Sequence, residues 1–173
     1  LVYRISGIDS QAEMTWKLGI DAVSFGGTKN GCMGVEAVVI FDKSKNQEFE
    51  YRRKRGAHLF SKHRYLAAQM QGYLQDGLWL DLARTANERM ARLARGLGQI
   101  PGVTFSTEPH ANMLFPRLPR AMHRRLMAQG AYYYLYDGTL EDGPDEAPIT
   151  CRLVCDWSVT DATIDRFLSV ARD

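Results

Sequence analysis

The chain has 173 residues, 45% of them hydrophobic, which is enough to fill the core of one medium-sized domain or two small ones. Its formal net charge of +2 creates no global field that would attract nucleic acid or an acidic membrane. No stretch approaches the roughly 20 apolar residues that span a bilayer, and no secretory signal opens the chain, so we expect a cytoplasmic protein.

The first predicted elements are a short helix over Gln11–Leu18 and two strands, Ala22–Phe25 and Ala37–Phe41. Ser10 and Glu13 have the spacing of a capping box at the start of the helix. The strands are rich in Val, Ile and Phe, and their apolarity is continuous. They are therefore predicted to be buried on both faces, as in an α/β sheet.

The middle of the chain is predicted to be helical. The segment Asn46–Arg55 is polar and charged and predicts no element, whereas apolar residues recur at helical spacing from Ser61 to Leu97. Gly77 is predicted to divide this stretch into two helices.

Strands and helices interleave after Pro101, which predicts a small α/β or α+β layer structure. The predicted strands are Val103–Phe105, Asn112–Phe115, Tyr132–Tyr136 and Cys151–Cys155, and the predicted helices are Pro119–Gln129 and Asp161–Ala171.

The three cysteines, Cys32, Cys151 and Cys155, indicate a reducing compartment, because an odd count without a secretory signal argues against a disulfide framework. In an extended strand, the Cα atoms of Cys151 and Cys155 would lie roughly 13 Å apart, too far for a disulfide. No Cys/His spacing resembles a zinc site, so no metal is expected.

The glycine-rich loop between the first two strands holds one lysine, Lys29. Asn30-Gly31 is a favoured turn sequence, so one interpretation is a hairpin with a solvated lysine. A P-loop would need Gly-Lys-Ser/Thr, and the order here is Thr-Lys-Asn-Gly. A third interpretation is a lysine that forms a Schiff base, which needs a neutral amine and hence a buried one, since burial lowers a lysine pKa. Glycines let a flat cofactor approach the backbone, and the Thr28 hydroxyl could bind it.

The segment SFGGTKNG, with AEMTWKLGIDAV before it and CMGVEAVVIFD after it, closely resembles the cofactor-lysine segment of bacterial low-specificity L-threonine aldolases. The resemblance continues through RRKRGAHLFSKHRYLAAQMQGYL, ANMLF and CRLVCDWSVT, and so covers nearly the whole chain. These enzymes belong to the β-eliminating lyase group of pyridoxal-phosphate enzymes with the aspartate-aminotransferase fold.

The resemblance implies that Lys29 is the catalytic lysine that bonds to pyridoxal 5′-phosphate, and the hydroxyl of its neighbour Thr28 makes that residue a candidate for cofactor binding. It implies a lyase that cleaves L-threonine, allo-threonine and similar β-hydroxy amino acids to glycine and an aldehyde. The alternatives are another pyridoxal-phosphate enzyme of the same fold, either a β-eliminating lyase or an aminotransferase, and a cofactor-free scaffold.

Arg152 stands alone among apolar residues of its predicted strand. From the residues, an arginine whose head reaches solvent and one held for bidentate carboxylate capture are equally good interpretations. The family pattern of an arginine, an apolar pair and a tryptophan matches Arg152, Leu153, Val154 and Trp157, and implies that Arg152 binds the substrate carboxylate. The family usually has Thr-Ser where this chain has Cys155-Asp156.

The basic segment Arg52–Arg64 is predicted to be mostly a solvated helix surface. The resemblance implies that a cation from this region serves the cofactor phosphate, in a neighbouring subunit of a homo-oligomer, with Lys62 and then Lys54 as candidates.

The family's aspartate for the pyridine nitrogen, its stacking ring and its phosphate cup have no match in this sequence. The resemblance therefore implies the C-terminal part of a subunit that would be inactive alone and would associate with the remaining N-terminal part. The expected fold class is α/β: the end of a transferase-like large domain (1–60), connecting helices (61–98) and a small C-terminal domain (99–173).

Overall fold

The structure is a computed structural model that describes residues 10–173 of the chain. These residues divide into two compact units, 10–82 and 83–173, which we call the first and the second unit. Both mix helices and strands, as the sequence predicts. The division at residues 60 and 98 stays a prediction.

The first unit begins with turns. The predicted α-helix over Gln11–Leu18 is wrong. Only Trp16–Leu18 winds into a 3-10 helix, and it buries no residue. Half of the predicted capping box is present, because the Glu13 carboxylate accepts from the Ser10 amide at 3.1 Å. A helix this short is unstable unless its apolar face packs, which explains the difference.

The two strands around the glycine-rich loop form an antiparallel hairpin. Strand β1 (Ala22–Gly26) pairs with β2 (Glu36–Ile40) in the register Ala22↔Ile40 to Gly26↔Glu36. In the described part of the chain they form a sheet of their own. The predicted burial on both faces is wrong there, since Val38 and Val39, which point to opposite faces, are 49% and 41% exposed.

Three helices follow: α1 (Asn46–Arg55), α2 (Arg64–Leu74) and α3 (Leu78–Leu97). The sequence predicted a solvated helix surface over only the end of α1, Arg52–Arg55, and α1 buries no residue of its mainly charged surface. The predicted helix surface is wrong over residues 56–63, which are not helical. The predicted break at Gly77 is confirmed, because Asp76 and Gly77 adopt left-handed φ angles of 52° and 77° between α2 and α3. None of the helices in residues 10–173 has the length and apolar composition needed to cross a membrane.

The second unit is an antiparallel sheet packed against helices. Strand β7 pairs with β4, β5 and β6, and β5 also pairs with β3. The strands are β3 (Thr104–Phe105), β4 (Met113–Leu114), β5 (Pro116–Pro119), β6 (Tyr134–Leu135) and β7 (Pro148–Val154), and the helices are α4 (Arg120–Ala128) and α5 (Asp161–Arg172).

The core of the second unit lies on one face of this sheet. Ile149, Cys151 and Leu153 alternate along β7 with more exposed residues, so only their face is buried. Helices α3, α4 and α5 cover it with apolar side chains such as Met90, Leu97, Leu126, Ile164 and Leu168. The opposite face, which carries Thr150 and Arg152, remains accessible.

Candidate active site

Lys29 lies in a 3-10 turn, Thr28–Asn30, within the loop that joins β1 to β2. The Gly27 carbonyl accepts from the amides of Asn30 and Cys32, both at 3.0 Å, and the Gly27 amide donates to the Val35 carbonyl at 2.9 Å. A Cβ on Gly27 would lie 2.9 Å from the Cys32 sulfur and 3.1 Å from the nearest Val35 methyl carbon. The turn therefore needs glycine at this position.

Asn30 fastens the turn to the helices of the first unit. Its side chain is 2% exposed. Its Nδ2 donates to the Tyr73 hydroxyl of α2 at 2.5 Å and to the Trp79 carbonyl of α3 at 3.0 Å. Because Asn30 directly follows Lys29, these bonds fix the backbone from which the lysine side chain projects.

The far side of the loop is fastened by Gln69 of α2. Its Oε1 accepts from the amides of Met33 at 3.0 Å and Gly34 at 3.3 Å. The loop is thus held at two points by hydrogen bonds of two polar side chains, those of Asn30 and Gln69.

The Lys29 side chain is exposed, and so is that of Thr28. The sequence analysis expected a buried Lys29 amine, and this expectation is wrong within residues 10–173. The amine is exposed because the hairpin that carries the turn is open on both faces. Thr28 has bonds of its own: its amide donates to Glu36 Oε1 and its hydroxyl to the Val35 carbonyl, both at 3.4 Å.

The thiol nearest to Lys29 in the sequence, Cys32, is not activated. Burial, and then the negative charge of Glu36, raise the pKa of the Cys32 thiol above its ordinary value. A thiol with a raised pKa is a poorer nucleophile at neutral pH because less of it is thiolate. Cys32 is therefore a poor candidate nucleophile in this loop.

Lys62 is exposed and directly precedes the N-cap residue of α2, with a left-handed φ of 67°. A non-glycine residue with this backbone is uncommon. Lys54 is exposed in the last turn of α1. No hydrogen bond within the described ranges joins either lysine to the Lys29 turn, so their role as phosphate ligands stays a prediction.

Arg152 lies in the second unit, on the accessible face of β7, and is half-buried. Its guanidinium carbon is 5.2 Å from the centre of the Tyr134 ring. Within residues 10–173 the guanidinium has no ion-pair partner, so its N–H groups are available to a ligand. The sequence left open whether the Arg152 guanidinium reaches solvent or is fixed for carboxylate binding, and the structure has features of both. The guanidinium is accessible, and one of its faces lies over the Tyr134 ring.

This chain has Cys155-Asp156 where the family usually has Thr-Ser, and this difference leaves Arg152 undisturbed. Asp156 Oδ1 accepts from the Ser158 amide at 2.8 Å and the Val159 amide at 3.1 Å, so it closes its own turn. Cys155 is buried, and all three cysteines are free thiols.

The sequence did not single out the side chains that hold the candidate site in place. Asn30 was interpreted only as part of a hairpin turn, and Tyr134 only as part of the predicted strand Tyr132–Tyr136. For Tyr134 the alternation of the strand was a usable signal, because it places residue 134 on the face opposite to the core. For Asn30 and Gln69 no local signal exists, since their partners lie far along the chain.

The chain is similar in sequence to two curated enzymes. The chain is 38% identical over 164 residues to a low specificity L-threonine aldolase of Pseudomonas aeruginosa, and 35% identical over 153 residues to one of a Pseudomonas species. The chain is a relative of the low specificity L-threonine aldolases. These matches cover 95% and 88% of the chain but only 44% and 42% of the two relatives. No protein-family model matches the chain.

Solved structures show the fold of this threonine aldolase relative. A Leishmania major threonine aldolase matches with a TM-score of 0.76 and 24% identity, over 88% of this chain and 42% of that one. A Sphingomonas wittichii serine palmitoyltransferase matches with a TM-score of 0.60 and 15% identity, over 93% of this chain and 40% of that one. The predicted fold class, the later part of a pyridoxal-phosphate-dependent transferase fold, is confirmed.

Proposed function

We propose that the chain is part of a pyridoxal-phosphate-dependent lyase that cleaves L-threonine, allo-threonine and similar β-hydroxy amino acids to glycine and an aldehyde. The observation that carries this proposal is the match to two low specificity L-threonine aldolases over most of the chain, with Lys29 on a fastened turn in the matching glycine-rich segment. The chain spans under half of each relative, so the activity is proposed for the complete protein.

The residues around the turn fit pyridoxal 5′-phosphate. Lys29 offers an accessible primary amine for an aldehyde, and Thr28 offers a hydroxyl for a phosphate or ring oxygen. A Cβ built on Gly34 meets no atom within 4 Å, so the loop leaves open space at its surface. When bound, this cofactor supplies the aldehyde that joins amines and the electron sink that stabilises negative charge at Cα.

Lys29 is the proposed catalytic residue because it offers a primary amine on this loop. The amine can attack a carbonyl only after losing its proton. The bonds of Asn30 hold the backbone of the turn, so Nζ moves only with the torsions of its own side chain. Exposed in this chain, the amine is expected to become enclosed by surfaces outside residues 10–173, which would exclude water and favour its neutral form.

Arg152 is the proposed residue for substrate binding. A guanidinium presents paired N–H donors in one plane, which match the two oxygens of an α-carboxylate. Lys62 is proposed to place a positive charge at the cofactor phosphate.

We also propose that the protein acts as a homo-oligomer, with the N-terminal remainder of the subunit, in the cytoplasm. Large apolar side chains of the first unit support association, since Trp16 and Leu18 are 53% and 69% exposed. The three-part division at residues 60 and 98 is proposed with it.

The function can be tested in a chimera in which this chain replaces the matching segment of the Pseudomonas aeruginosa relative. We expect the chimera to release glycine and an aldehyde in equal amounts from L-threonine, and to lose this activity when Lys29 is replaced by Ala. A Lys43→Ala chimera is the matched control, because Lys43 is an exposed lysine outside the loop. A chimera that retains the cofactor but yields ammonia and a keto acid would instead support a β-eliminating lyase, and one that transfers the amino group of L-threonine to an added keto acid would support an aminotransferase.

A further inference from the structure

Arg152 lies on the accessible face of the second unit's sheet, between two residues of β7 that are buried in the core. Its neighbours in β7, Cys151 and Leu153, are 0% and 7% exposed and point into the core. Strand alternation therefore fixes the direction of the Arg152 side chain, which leaves the sheet on the side opposite to helices α3, α4 and α5. Its position on the sheet is set by the core beneath it.

Tyr134 lies directly opposite Arg152 on the neighbouring strand. The two residues are partners in the β6–β7 register, and the next pair is Leu135 with Cys151. The amide of Tyr136 donates to the Thr150 carbonyl at 2.8 Å, which extends the pairing beyond these two residues. Directly opposite side chains on one face of a sheet lie close enough to interact.

The distance of 5.2 Å from the guanidinium carbon to the ring centre is within the range of a cation–π contact. The ring meets the guanidinium carbon, whereas the N–H donors point outward in the guanidinium plane. A contact of this kind restricts the rotation of the side chain without using the donors that a carboxylate needs. Tyr134 is itself 61% exposed, so the pair is open to a ligand from solution.

We propose that Tyr134 is a positioning residue that holds Arg152 in place for binding a carboxylate. The proposal rests on the proposed function for the identity of the ligand, an amino acid carboxylate, but the pairing itself stands on the geometry above. Tyr134 acts through its ring and not its hydroxyl, so phenylalanine should replace it and alanine should not.

The test uses the full chain without cofactor and acetate as the probe. The Nε–Hε resonance of Arg152, assigned by its loss in Arg152→Lys, reports both the order of the side chain and acetate binding, with chloride as the control for ionic strength. We expect Tyr134→Ala to lower the order parameter and to weaken acetate binding about two- to fivefold, the range of an exposed cation–π contact. Tyr134→Phe should retain both values.

Tyr132→Ala is the matched control, because Tyr132 is 92% exposed and lies just before β6, whereas the register pairs Arg152 with Tyr134. The proposal is overturned if Tyr134→Ala leaves the order of Arg152 and its acetate binding unchanged, if Tyr132→Ala has the same effect, or if acetate does not shift the resonance at all.

The outcome of the Tyr134 test does not depend on the outcome of the chimera test of the proposed function. A chimera without lyase activity would refute the function and leave the Tyr134 result standing. An active chimera combined with an unaltered Arg152 in Tyr134→Ala would refute the positioning role alone.

Discussion

At the scale of single residues, the loop that carries Lys29 depends on Asn30. Its Nδ2 makes two hydrogen bonds to separate helices, and its Oδ1, also buried, accepts none from residues 10–173. The Trp79 carbonyl can only accept, so the amide nitrogen must face it and the orientation of the side chain is determined. A buried amide used in this way fixes one backbone conformation.

Asn30→Ala should lower the free energy of unfolding of the first unit by about 1–3 kcal/mol, because it leaves the Tyr73 hydroxyl and the Trp79 carbonyl without this donor. Denaturant unfolding followed by tryptophan fluorescence measures the change. Asn46→Ala, at an exposed position, is the control and should alter stability little. Equal effects of the two substitutions would show that Asn30 does not fasten the loop.

His123 of α4 is a second residue whose surroundings define its chemistry. It is fully buried, with Nε2 at 3.0 Å from the Ile149 carbonyl and Nδ1 at 2.9 Å from the Tyr133 hydroxyl. The carbonyl only accepts, so Nε2 carries the proton and Nδ1 of the neutral ring accepts from the hydroxyl. Burial lowers the pKa of His123, an effect that the Ile149 carbonyl and the charge of Asp137 partly offset.

This lowered pKa makes the stability of the second unit depend on pH. Below about pH 6.5 the unfolded histidine binds a proton that the folded ring resists, so the unfolded state takes up more protons. The stabilisation is therefore complete above about pH 6.5 and is lost as the pH falls through the folded pKa. Urea unfolding between about pH 8 and pH 5 should show a flatter profile for His123→Gln than for the wild type. The profile of His110→Gln, at an exposed site, should keep the wild-type slope, and a wild-type slope in His123→Gln would refute the assignment.

At the scale of elements, the second unit depends on the close approach of α3 and α5. A Cβ on Gly96 of α3 would overlap the Leu168 side chain of α5, which is 5% exposed in the core. Arg92 adds ion pairs to Asp161 at 2.7 Å and Asp165 at 2.6 Å across the same two helices. The ion pairs are partly exposed and contribute little, so the close packing at Gly96 is the larger factor.

Gly96→Ala should therefore lower the free energy of unfolding by about 1–3 kcal/mol through overpacking, although alanine is the better helix former. Gly72→Ala in α2 is a matched control, since a Cβ there meets no atom within 4 Å, and it should stabilise by up to about 1 kcal/mol. Thermal unfolding of both variants measures the contrast. Stabilisation by both substitutions would mean that α3 and α5 are not in close contact.

The elements also show what the sequence could predict. Helices α4 and α5 have the 3.6-residue apolar periodicity and were predicted within one or two residues of Arg120–Ala128 and Asp161–Arg172. The first part of helix α1 was missed because the helix buries no residue and therefore has no periodic apolar face. The burial of β1 and β2 was overestimated, because apolar composition does not reveal whether covering layers are present in the same chain.

At the scale of the whole molecule, the candidate residues fall in different units, with Lys29 in the first and Arg152 in the second. The sequence identified both by residue type and by resemblance, and it predicted the transferase fold to which they belong. It could not predict that Asn30 holds the Lys29 turn, because the bond from Asn30 to Tyr73 joins segments distant in sequence. The contact of Tyr134 with Arg152 was missed although strand alternation gave a signal for the face on which Tyr134 lies. The chain also spans under half of its threonine aldolase relatives, and Lys29 is exposed within residues 10–173.

The central claim is that Lys29 is the amine that receives pyridoxal phosphate, and borohydride trapping tests it most directly. The chimera with the Pseudomonas aeruginosa relative, in which the rest of the subunit is present, is incubated with about one equivalent of pyridoxal 5′-phosphate, reduced, and digested for peptide mass spectrometry. We predict that Lys29 carries the phosphopyridoxyl group ahead of the other lysines, and that uptake falls in Lys29→Arg but not in Lys43→Arg. Equal labelling of Lys29 and Lys43, with uptake unchanged in Lys29→Arg, would contradict the assignment and support a cofactor-free scaffold.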